Sequence, residues 1–192
     1  MFRPLLADAE IRGWNILSGD DPESPFEGTV GRVCNFFLYS DYAALFLPET
    51  IREACAWSAE HDSRPFAMFF TIPDPADYFT EVGSFGGLVA MGGDDPNGIE
   101  SFLTHDNQAR SYLSPYDVSQ RFIILPDDRS WMWMGDRDAD LAIFGFTTET
   151  QQRRFVSGAG FQMLASLDEA ASHAMSFMNY SLDKASLSGR TS

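Results

Sequence analysis

Residues 120–146 read Q-R-F-I-I-L-P-D-D-R-S-W-M-W-M-G-D-R-D-A-D-L-A-I-F-G-F, and this stretch decides the fold class. Three short apolar runs, at 122–125, 131–134 and 141–146, are separated by two polar turns rich in Asp and Arg. Runs of this length bounded by Pro, Gly and Asp mark consecutive antiparallel strands. The pattern predicts a three-stranded meander with Asp127-Asp128 and Asp136-Arg137-Asp138 at exposed turns. Trp131 and Trp133 should share a face, because side chains along a strand alternate with a period of two. The runs are apolar on both faces, so the sheet's second face must be covered or form an interface, which allows a homodimer.

Working outward, the 30–39 segment reads as a strand rich in Phe and Val. Pro48 suits the start of a helix running to about His61, with Ile51, Ala54, Cys55 and Ala59 on one face and Trp57 off it. Residues 65–72 form another strand, apolar on both faces, and 74–82 a short helix. The 83–98 segment holds six glycines and Asp94-Asp95-Pro96-Asn97, which predicts a long flexible loop around a short strand at 88–91. One more strand is expected at 161–165. Ser166-Leu167-Asp168-Glu169 is a capping box, in which Glu169 should reach back to the serine N–H. It opens a helix whose apolar face is Leu167, Ala170, Ala171, Ala174, Phe177 and Met178. A helical turn or two at 7–17 and a polar loop at 18–29 precede all this, and a Ser-rich flexible tail at 181–192 follows. The expected architecture is a single α+β domain over residues 1–180. Its mainly antiparallel sheet ends in the meander and is covered by helices near 48–61 and 167–178.

Charge narrows the choice of function. The chain has 28 acids against 13 bases, a formal charge of −15, and Lys184 is its only lysine. Between Pro65 and Ala109 there are seven acids and no Lys or Arg. Such a surface repels phosphate backbones, which argues against direct nucleic-acid binding, and attracts a basic protein or a metal. Plain solubility, common among acidic bacterial proteins, explains the same charge and is preferred over any one partner. Cys34 and Cys55 are the only cysteines and form no metal or redox motif, so two buried thiols in a reducing compartment are expected. No leader-like segment and no run near the ~18 apolar residues of a membrane span is present, which points to the cytoplasm and away from membranes.

Candidate chemistry is sparse. Asp136, Asp138 and Asp140 would share one face of an extended segment and could hold a divalent cation, but a hairpin turn is the preferred reading. Asp94, Asp95, Glu100 and Asp106, read as loop carboxylates without partners, offer an alternative Mg²⁺ site with His105 nearby. The three histidines, His61, His105 and His173, show no zinc spacing, and nothing in the sequence brings a cysteine to a histidine. No nucleotide-loop or nucleophile-elbow motif is complete. The expectation is therefore a non-catalytic, cofactor-free protein of the immunity, inhibitor or adaptor kind that occludes a basic protein partner. Trp57 or Trp131 would anchor the partner while Asp94, Asp95, Glu100 and Asp106 steer it. The alternatives are a metal-dependent hydrolase using the 94–106 acids, and a small-ligand module with a pocket between sheet and helices.

Overall fold

The computed structural model describes residues 1–5, 34–60, 64–83, 85–105, 113–160 and 162–177. The segments expected at 7–17, 18–29 and 181–192 lie outside the described residues, as do His61, Asp106, Phe161 and Met178. Seven described strands form one antiparallel sheet: β1 (Arg3–Pro4), β2 (Phe36–Ser40), β3 (Phe66–Ile72), β4 (Gly87–Ala90), β5 (Arg121–Pro126), β6 (Trp131–Asp136) and β7 (Leu141–Phe146). Their spatial order is β1-β4-β3-β5-β6-β7-β2. The described helices are a 3-10 helix at Tyr42–Phe46, then α1 (Pro48–Glu60), α2 (Pro75–Val82), α3 (Pro96–Thr104), α4 (Pro115–Val118), α5 (Glu149–Ala159) and α6 (Leu167–Phe177). The α+β class read from the sequence is the class observed.

The meander forms as its pattern dictates, with Ile124 opposite Trp133 and Trp133 opposite Phe144. Alternation sorts the side chains into two chemically distinct faces. Phe66, Met68, Phe70, Phe122, Ile124, Trp131, Trp133, Phe144 and Phe146 enter one core with the 3-10 helix, α1, α3 and α5. Ala67, Phe69, Ile123, Leu125, Met132, Met134, Leu141 and Ile143 enter a second core with Ala170, Ala171 and Ala174 of α6. The apolar second face is thus buried within the chain. One turn differs from expectation. Asp136 is not exposed but ends β6 as a buried residue beside Arg121 (3.4 Å), and its Oδ1 accepts from the Ala139 N–H (3.2 Å). Burial pushes its carboxyl above the ordinary value, with Arg121 opposing.

Several local expectations need correction. Ala59 is exposed, while Trp57 and Ser58 are buried, because α1 is flanked by α3 and α5 and buries a wider arc than one stripe. The 161–165 strand reduces to a single bridge between Tyr39 and Leu164. Ser166 Oγ accepts from Glu169 N as expected (3.1 Å), but the Glu169 carboxylate takes the Ala165 N–H instead of the Ser166 N–H. Phe177 is 58% exposed, its ring lying 5.1 Å from that of His173, because α6 rests on the sheet through alanines. The glycine-rich segment is mostly ordered: Gly83 caps α2 at φ 76°, β4 follows, and α3 starts at Pro96. Helix α5 adds to the elements expected from the sequence, and Thr148 and Gln151 form a complete capping box at its start.

Candidate functional site

The helical side of the molecule carries an open cleft of about 380 Å³ between the 3-10 helix, the start of α1, the second half of α3, and α4. Phe46, Leu47, Pro48 and Tyr116 supply its apolar lining, with Ala43 and Thr104 beside them. Glu100 and Asp117 are the charged residues of the wall.

Local sequence builds each wall. Asp41 caps the 3-10 helix by accepting from Ala44 N (3.0 Å), which carries Phe46 to the cleft floor. There the Phe46 ring meets Tyr116 edge-on (4.9 Å) and Phe122 (4.6 Å). Leu47 is extended, as a residue before proline prefers, and Pro48 opens α1. On α3, Asp95 accepts from the N–H groups of Asn97 (3.1 Å) and Gly98 (3.2 Å), a cap that fixes the helix bearing Glu100. On α4, Ser114 Oγ accepts from Asp117 N (3.2 Å) and donates to Asp117 Oδ2 (2.5 Å), with Pro115 at the first helical position.

A second set of contacts holds α4 against the meander. Tyr42 Oη lies 2.6 Å from Ser119 Oγ in the buried interior. The Arg137 guanidinium stands 5.4 Å from the Tyr42 ring centre and 5.0 Å from that of Tyr116, and its Nη1 donates to Asp117 O (2.7 Å). Tyr116 is therefore fixed by a cation–π contact and by packing. Arg137 also offsets part of the negative field of the wall. Neither Glu100 nor Asp117 is ion-paired among the described residues. Glu100 Oε1 accepts from the Thr104 hydroxyl (3.0 Å), and Asp117 keeps only its bonds to Ser114. Each carboxylate thus retains an oxygen free for a cationic ligand.

The residues expected from sequence scatter across the fold. Trp57 and Trp131 are 1% and 2% exposed, so the expectation that they anchor a partner is corrected. They form one aromatic cluster, with ring centres 5.9 Å apart, because the α1 face and the β6 face meet there. Trp57 Nε1 also donates to Glu53 Oε2 (3.2 Å), and the Arg154 guanidinium lies 5.7 Å from its ring while pairing with Glu60. Nor are the described acids of the glycine segment partnerless. Asp94 is 6% exposed; its Oδ2 accepts from Met91 N (2.9 Å), and its Oδ1 is ion-paired with the Met1 ammonium without a directed hydrogen bond. Asp95 is spent on its cap. Of the expected steering acids, Glu100 alone lines the cleft, and Asp106 lies outside the described residues.

The other acidic set disperses around the β6–β7 turn, residues 137–140, as the turn reading predicts. Asp136 faces Arg121, Asp138 accepts from Gln120 Nε2 (2.5 Å), and Asp140 meets His173 Nε2 (3.1 Å). Among the described residues, no group of three or more His, Cys, Asp or Glu side chains is arranged to hold a metal ion. Burial pushes both the Cys34 and the Cys55 thiol up to about 12, which keeps them protonated and poor nucleophiles at neutral pH. His105 ends α3, with Nδ1 3.2 Å from the Thr104 hydroxyl.

The β2 edge is closed to strand addition at two positions. Phe37 O accepts from Gln152 Nε2 (2.8 Å) and Tyr39 O from Leu164 N (2.8 Å). Among the described helices, none is long and apolar enough to cross a membrane. Reading the sequence missed Asp117 and Tyr116, although Ser114-Pro115-Tyr116-Asp117 has the cap, the N1 proline and the first-turn acid of a helix start. No protein-family model, no curated protein and no solved structure significantly matches this chain.

Proposed function

We propose that this chain is a non-catalytic, acidic, cytoplasmic protein-binding domain of the immunity, inhibitor or adaptor kind, which docks a basic partner on the cleft between α1, α3 and α4. The observation that carries this reading is the pairing of an aromatic and aliphatic floor (Phe46, Leu47, Pro48, Tyr116) with two carboxylates, Glu100 and Asp117, that have no counter-ion among the described residues. Interfaces work through a desolvated apolar centre with charges at its margin, and this cleft has both. The excess of 28 acids over 13 bases adds long-range attraction for a basic surface and speeds encounter. The anchor is now the cleft floor in place of the two buried tryptophans. Binding small ligands is the second reading, favoured by a cleft volume of about 380 Å³, within the usual range for such sites.

A random-peptide display selection tests the proposal. The wild-type protein is the bait, and the Glu100→Gln/Asp117→Asn double variant serves for counter-selection. Peptides that bind the wild type and lose at least about tenfold in affinity on the variant support the reading. Failure to enrich any peptide, or enriched peptides indifferent to the two substitutions, overturns it.

A further inference from the structure

We infer that the cleft is a receptor for one arginine side chain of the partner protein. This rests on the reading of the cleft as a protein-docking site and names the group that enters it. Three observations converge. The floor is aromatic, with Phe46 and Tyr116 meeting edge-on at 4.9 Å, and a planar guanidinium with weakly hydrated faces suits such a surface better than a strongly hydrated ammonium. The wall carries Glu100 on α3 and Asp117 on α4, and each has one carboxylate oxygen already held by a hydroxyl, that of Thr104 within α3 and that of the N-cap Ser114 before α4. Those hydroxyls hold the carboxylates in place, so little side-chain freedom remains to be lost when a cation arrives. The aliphatic part of the lining, Leu47 and Pro48, suits the methylene stem of a long side chain.

The molecule already satisfies its own arginines this way. Arg154 lies 5.7 Å from the Trp57 ring while pairing with Glu60, and Arg137 stands between Tyr42 and Tyr116 while donating to the Asp117 carbonyl. In the cleft, Arg137 reaches only the backbone carbonyl of Asp117, and the Glu100 and Asp117 carboxylates beside the Phe46 ring have no guanidinium partner among the described residues. An uncharged polar or acidic residue would leave both carboxylates uncompensated as the cleft closed over it.

The test is a titration of the ¹⁵N-labelled protein with a blocked Gly-Arg-Gly peptide, followed by NMR. Matching peptides carry citrulline, lysine or norleucine at the central position. Citrulline keeps the shape of arginine and removes its charge. The arginine peptide should shift resonances of residues 43–48, 100–104 and 116–117 saturably in the millimolar range. Affinity should fall about tenfold with citrulline and severalfold with lysine. Glu100→Gln/Asp117→Asn should bring the arginine peptide down to the citrulline level while leaving the melting temperature unchanged. Equal binding of arginine and norleucine, shifts spread over the acidic surface, or no saturable shift would overturn the inference. Free arginine binding as tightly as the peptide would overturn the protein source in favour of a small guanidinium compound. Failure of this inference is distinct from failure of the docking proposal. Display peptides that need Glu100 and Asp117 but contain no arginine would sink the inference alone, whereas arginine-peptide binding without any selectable binder would sink the docking proposal.

Discussion

Phe155→Ala tests the packing that positions α5 and the aromatic core. Phe155 is fully buried, and its ring centre lies 4.8 Å from Phe144, 4.9 Å from Trp133, 5.4 Å from Phe146 and 6.1 Å from Trp57. Removing the ring forfeits a transfer free energy of about 1.5–3 kcal/mol. Four surrounding rings, anchored on two strands and α1, leave little room for collapse, so a cavity term adds to it and the total should reach about 3–5 kcal/mol. For a domain of this size that corresponds to a fall in melting temperature of roughly 6–20 °C. Phe177→Ala, by contrast, should stay within about 0.5 kcal/mol, because that ring is more than half exposed and touches His173 instead of the sheet. Urea denaturation followed by tryptophan fluorescence measures both, since Trp57, Trp131 and Trp133 report the cluster directly. A cost below about 1 kcal/mol for Phe155→Ala, or equal costs for the two variants, would refute the assignment of α5 as core and of the end of α6 as surface.

Four further outcomes follow from local geometry. Asp95→Ala and Ser166→Ala should each cost about 1 kcal/mol through a lost helix cap, and equal stability of either variant with wild type in chemical denaturation would disprove that cap. Gly92→Ala should destabilise by about 1–3 kcal/mol, because its Cβ would fall 2.3 Å from the Ala59 backbone nitrogen; a neutral result by calorimetry would show that the turn at 91–94 yields freely. Burial raises Cys34, Cys55, Tyr39 and Tyr42 to about 12 in the folded state, from ordinary values of 9.0 for the thiols and 10.0 for the phenols. Groups with raised folded values give stability that is complete below their unfolded values and is lost as pH climbs through the folded ones. Stability should therefore hold to about pH 9 and decline toward pH 12. The thiols should resist a disulfide reagent at pH 8 until the chain unfolds; rapid native-state labelling would contradict their burial.

Two of the acids also change how a charge experiment must be built. A variant neutralising Asp94 and Asp95 along with Glu100 would loosen the 91–94 turn and uncap α3, confounding steering with folding. Glu100→Gln and Asp117→Asn avoid that confusion, with only side-chain hydroxyl and local cap contacts at stake.

What the sequence determined by itself is the local, periodic part of the fold. Alternation over 120–146 set the meander and the common face of Trp131 and Trp133, though not the burial of Asp136 at the end of β6, because a period of two is a property of the extended chain whatever surrounds it. The serine and glutamate at 166 and 169 likewise marked a helix start, since capping needs only neighbours along the chain. Which surface each element buries was decided by tertiary structure. Trp57 is off the stripe of α1 yet fully enclosed, because α3 and α5 flank that helix; Phe177 lies on the stripe of α6 yet faces outward, because alanines seat that helix on the sheet. The cleft was settled in the same way. Phe46 lies more than fifty residues before Glu100 and Tyr116, which sit on the consecutive described helices α3 and α4, and long-range packing of the 3-10 helix against those helices brings the three to one place. Long-range strand pairing rests on burial summed over the whole core, a quantity that no window of the sequence contains.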